Sequence, residues 1–209
     1  FKNDASSTSY SPITIDVKQN VVVSAQGKIT TGTASTHDGS LPTAGTSPGA
    51  LVTRYFDVYH KFYIGGSLYN QGSVKFISSD ITSIDFENLT PRGAVSVRFY
   101  SMDDAEVQCN GTTDFYNLVI DKGTGQSAEL NLSASNAQYF RLFGSNRHIV
   151  PSFTTNPEVR KALWIRNGTL RLTGDVAIPS LTEGYNTQNA SYVIPVNGAL
   201  VIDGADVVV

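Results

Sequence analysis

Asp103, Asp104 and Glu106 form the densest group of chemistry-bearing side chains in this 209-residue chain. Paired carboxylates are what glycoside hydrolysis needs: one protonates the leaving oxygen while the other attacks or activates water. Neighbouring residues on a strand point to opposite faces, so Asp103 and Asp104 share a site only if they lie in a loop. In a loop, the same oxygens also suit calcium. Three readings stay open: a solvated loop, a calcium site near Asp103, Asp104 and Glu106, and a catalytic acid pair.

Other chemistry is sparse. His37, His60 and His148 are far apart, and none stands in metal spacing with another His or Cys. Cys109 is the single cysteine, which excludes an internal disulfide and reads as a core thiol. Nucleophile-elbow, phosphate-loop and dinucleotide motifs are absent. The Asn-Thr-Asp, Gly-His-Gly and Arg-x-Lys motifs of polygalacturonase-like enzymes are absent too. The expectation is a chain that is not an enzyme and carries no cofactor, with a polysaccharide lyase or glycoside hydrolase as the alternative.

Binding residues are easier to nominate. Tyr55, Phe56, Tyr59, Phe62, Tyr63 and Tyr69 make an aromatic cluster, and alternation puts Tyr55 and Tyr59 opposite Phe56. Outward tyrosines stack on sugar rings and hydrogen-bond their hydroxyls. Residues 101–129 hold six acids and one Lys, whereas 141–171 hold six Lys or Arg and one Glu. The basic stretch could meet an anionic glycan, or the two blocks could pair with each other across stacked strands. The candidate glycan-binding set is Tyr55, Tyr59, Tyr63, Tyr69, Arg166 and Arg171. The segment 30–50, rich in Gly, Thr, Ser and Pro, reads as a long surface loop.

The elements that position these residues are strands. Helix signals are nearly absent, the best being one turn over Asn156 to Lys161. Charged residues are only 16%, and polarity comes instead from 22 Ser, 20 Thr and 14 Asn, which suits strand faces and turns. An internal repeat aligns Gly66, Gly168 and Gly198. Phe62, Trp164 and Ile194 stand four places before them, and Leu68, Leu170 and Leu200 two places after. Gly72, Gly174 and Gly204 follow at six places, then Phe76, Ile178 and Val208 at ten. These apolar places, Trp164 included, read as inward rows, with Leu68, Leu170 and Leu200 in one stack. Arg166 would then need a bulge to turn it outward, or a buried partner. Asp-Phe-x-Asn-Leu recurs at 85–89 and 114–118, which would stack Asn88 on Asn117. The 29- and 30-residue spacings suit coils of roughly 20 to 30 residues. The fold class this points to is all-β, a parallel β-helix spanning 1–209 as one domain. Three Asn-Gly pairs (110–111, 167–168, 197–198) support the alternative, an antiparallel β-sandwich built on hairpins.

Phe-x-Asn-Leu-x-Ile at 115–120 and Leu-x-Ile-x-Asn-Gly-Thr-Leu-x-Leu-x-Gly at 163–174 resemble the repeats of large secreted or cell-surface bacterial proteins. Those carry right-handed parallel β-helix regions and are often described as adhesins. The likeness spans about residues 60–209 and implies a structural or adhesive module of a longer polypeptide, to which the tyrosine patch and the basic stretch add the expectation of glycan binding. It implies a secreted or cell-surface location, with glycans or host matrix as partners. A net charge of −3 argues against a nucleic-acid partner, and no apolar run is long enough to insert in a membrane.

Overall fold

The computed structural model describes residues 13–31, 60–77, 95–142, 162–178, 192–204 and 206–207. Tyr55, Tyr59, Asn88, His37, His148, most of the 30–50 segment and the 156–161 turn lie outside them.

Short alternating apolar runs between Gly, Asn and Ser become fifteen described strands, stacked in six tiers. The first tier holds β1 (Thr14–Val17), β2 (Val21–Val23) and β3 (Lys28–Thr30). The second holds β4 (His60–Ile64), β5 (Leu68–Asn70) and β6 (Ser73–Lys75). The third holds β7 (Val95–Ser101), β8 (Ala105–Cys109) and β9 (Thr112–Phe115). In the fourth are β10 (Asn117–Lys122), β11 (Glu129–Ala134) and β12 (Phe140–Leu142). The fifth is one long strand, β13 (Leu163–Gly174), and the sixth has β14 (Tyr192–Val193) and β15 (Gly198–Ile202).

Every described pairing is parallel and joins one tier to the next. The run β1-β4-β7-β10 meets the run β11-β8-β5-β2 through β13, making one eleven-stranded sheet; β14 and β15 both pair with β13. A second sheet of four strands runs β12-β9-β6-β3. The expected fold class is therefore corrected. In place of a right-handed parallel β-helix, the described strands form a nearly closed, barrel-like parallel sheet plus a smaller parallel sheet. The reason lies in β13. At Gly168, with φ +94°, the strand turns the corner without breaking, so it belongs to both runs. A Cβ there would collide with the Ala128 carbonyl and with Lys122, so only glycine fits.

The antiparallel sandwich is overturned as well. Each Asn-Gly pair bends the chain without reversing it. Asn110-Gly111 lies between β8 and β9, which pair with β11 and β12 of the next tier and not with each other. Parallel stacking of this kind remains compatible with the repeat read from the sequence.

The core is built row by row. Phe62, Val97, Leu118 and Leu163 face inward in register and are buried. Phe62, Phe76, Phe115 and Phe140 form a ring ladder with centroid spacings of 5.4, 5.6 and 6.0 Å. Leu170 and Leu200 share a row with Leu130 and Ala105. Leu68 does not join them. It lies one row over, with Val21, Val107, Leu132, Leu172 and Ile202. The corner after Gly66 takes two residues fewer than the corner after Gly168 before reaching that row, so alignment on the glycines misplaces Leu68 by one inward position.

Asn70 stabilises another corner, donating to the Thr112 carbonyl and the Thr113 hydroxyl at 2.8 Å each and accepting from the Gly72 amide at 2.8 Å. Asn117 is buried and pairs with the Ser96 hydroxyl one tier below. His60 is also fully buried, its Nδ1 accepting the Ile13 amide at 3.0 Å. Cys109 is a core thiol, pushed up to about 12 by burial.

Candidate functional site

Along β7, Val95, Val97 and Phe99 are buried and Arg98 and Tyr100 turn outward, while Ser96 is itself buried against Asn117. Parallel register then aligns an outward row: Asp16, Tyr63, Arg98, Val119, Trp164. Val119 is fully buried in this row between Arg98 and Trp164.

The bulge that the Arg166 alternation problem required is present. Ile120 pairs with Ile165 but Asp121 pairs with Asn167, leaving Arg166 as the extra residue. Its guanidinium carbon lies 5.2 Å from the centre of the Trp164 ring, and Nη1 is 3.3 Å from Asp121 Oδ2. Arg98 Nη1 approaches the same oxygen at 3.6 Å and its guanidinium lies 5.1 Å from the Tyr63 ring centre. Asn167 donates to Asp121 Oδ1 at 2.7 Å. Both oxygens of Asp121 are thus engaged, and two cations are held against two rings. Below this group, Tyr100 donates to Asp16 Oδ1 at 2.7 Å and Lys18 bonds the other Asp16 oxygen. Those two bonds, that of Lys18 foremost, hold the Asp16 carboxyl below the ordinary carboxylate range.

Of the nominated binding residues, the four that are described, Tyr63, Tyr69, Arg166 and Arg171, do not converge. Tyr63 and Arg166 lie on this outward face. Tyr69 and Arg171 lie on the other run of the large sheet, where Arg171 bridges Glu129 at 2.9 Å and Asp203 at 2.8 Å. Trp164, read as core from the repeat, is corrected to an outward, half-buried position; Ile194, aligned with it, is 50% exposed. The one-residue error arises because Leu163, not Trp164, is level with Phe62. Arg98, Tyr100 and Asp121 were not nominated at all. Alternation within β7 and β10 could have turned them outward, but not shown that they meet.

The acid and basic blocks pair across tiers, in Arg166–Asp121, Arg171–Glu129 and Arg141–Asp114. Asp104 accepts the Glu129 amide at 2.7 Å, and Glu106 accepts from Gln108 at 2.8 Å. Among the described residues no group of three or more His, Cys, Asp or Glu is placed to hold a metal ion. No described helix is long and apolar enough to cross a membrane. Comparison with protein-family models, with curated proteins and with solved structures finds no match to this chain.

Proposed function

We propose that this chain is a structural and adhesive module of a secreted or surface-displayed bacterial protein, holding glycans against the face of Tyr63, Arg98, Trp164 and Arg166. The observation that carries this reading is the in-register strip of two rings and two guanidinium groups around Asp121. Aromatic rings stack on the C–H faces of sugars, and guanidinium groups donate to hydroxyl or carboxylate oxygens. Cross-tier bonds fix these groups before a ligand arrives, which lowers the ordering cost of binding. The binding face performs no reaction and needs no cofactor.

The test is titration of immobilised glycans and matrix with the whole chain and its variants. Trp164→Ala and Tyr63→Ala should each weaken binding about tenfold, equivalent to ~1.4 kcal/mol, with melting temperature retained. Because the cations are already paired, affinity should change little with added salt. Unchanged affinity in both variants, or a steep salt dependence centred on Arg171, would reject this face.

A further inference from the structure

Among the described residues, Ser101 alone combines a side chain with a left-handed backbone, at φ +107°. It ends β7 at the corner leading to β8, half-buried beside Met102, which is 76% exposed. Extending the registers places Gly66 level with Ser101 in the tier below, while Gly168 and Gly198 occupy the same corner above. Up this corner the column reads Gly66, Ser101, Lys122, Gly168 and Gly198, and of these Ser101 alone pairs a side chain with a positive φ. Local strain without a packing gain is characteristic of functional positions.

The residue paired with Ser101 one tier up is Lys122, whose side chain is fully buried. Lys122 Nζ lies 3.2 Å from Ser101 Oγ, and Ser101 Oγ also donates to the Asp103 carbonyl at 3.3 Å. The charged groups acting on Lys122 are Asp103 and Asp104. Burial lowers the ammonium below the ordinary lysine value of 10.5, against the pull of both acids. A lysine so placed can shed its proton and accept one from a neighbouring hydroxyl.

We propose that Ser101 and Lys122 form a nucleophile–base pair that takes an acyl group from an activated ester onto Ser101 Oγ. This goes beyond the glycan-holding reading and does not depend on it. Neutral Lys122 removes the Oγ proton as Oγ bonds to the ester carbonyl carbon. The carbon–oxygen bond to the leaving alkoxide breaks, and the proton passes from Nζ to that alkoxide. The product is an ester on Ser101, the released alcohol and lysine returned to its neutral form, with no oxidant or cofactor involved.

The probe is p-nitrophenyl acetate with the full chain, followed by peptide mass spectrometry. The expected result is one acetyl group on Ser101 per molecule and a burst of nitrophenolate. Ser101→Gly should lose the adduct and melt at the same or a higher temperature, because glycine relieves the strained φ. Lys122→Met should slow acylation about 100-fold or more, the contribution of a positioned general base. Ser101→Cys should restore capture. The proposal is overturned if the adduct sits on Lys122 or is spread over surface amines, or if Ser101→Gly reacts like the parent. It is also overturned if Lys122→Met, folded by its melting curve, acylates at the parent rate.

Discussion

Asp114 accepts both Nε and Nη2 of Arg141, at 2.6 and 2.7 Å, across adjacent strands of the small sheet. The carboxylate side chain is only 4% exposed, whereas the Arg141 side chain is 46% exposed. Removing the arginine strands a nearly buried charge, while the exposed side of the pair lets water return. Arg141→Met should therefore cost about 1–3 kcal/mol in urea unfolding, below the range for fully buried pairs. Adding Asp114→Asn should recover part of that loss; strictly additive costs would show that the two groups are not coupled.

Leu170 and Leu200 face each other in register, yet Leu170 is buried and Leu200 only partly so. Leu170→Ala should cost about 2–5 kcal/mol, as for an aliphatic side chain removed from a core. Leu200→Ala, in the sixth tier, should cost less. Leu68→Ala should match Leu170→Ala, since Leu68 is equally buried in the neighbouring row. Equal costs at 170 and 200 in denaturant melts would contradict this ordering.

Lys122 is buried and its ammonium lowered, which has a defined sign for stability against pH. Below the folded value both states carry the charge, and the folded state bears the full burial penalty. As pH rises through the folded value toward 10.5, the unfolded chain keeps the proton longer, so stability rises. Lys122→Met should flatten that rise. A parent chain whose melting temperature does not climb relative to Lys122→Met over this interval would rule out the lowered ammonium.

Asp104 and Glu106 are occupied by protein donors, the Glu129 amide and Gln108. The protein should accordingly melt at the same temperature in EDTA and in calcium. A calcium-dependent rise that disappears in Asp103→Asn or Asp104→Asn would reveal a site at this corner.

The repeat aligned on Gly66, Gly168 and Gly198 was enough, from the sequence, to mark the segments of β5, β13 and β15 as strands. The recurring glycines and leucines marked a stacked repeat, because a parallel tier must present the same inward row each time. Arg166 was legible as an anomaly, since an arginine cannot occupy an inward place without a bulge or a partner. What the linear pattern could not supply was register between tiers. The corners differ in length, from one residue between Gly66 and Leu68 to three between Gly168 and Leu172. A one-residue slip exchanges inside for outside, which is how Trp164 passed for core. The outward strip exists only because Arg98, Asp121 and Arg166, far apart in sequence, are brought level by backbone pairing. The same holds for Ser101 and Lys122, 21 residues apart. Each side chain is specified by its own strand, but their meeting depends on inter-strand hydrogen bonds and on corner geometry, both properties of the folded stack.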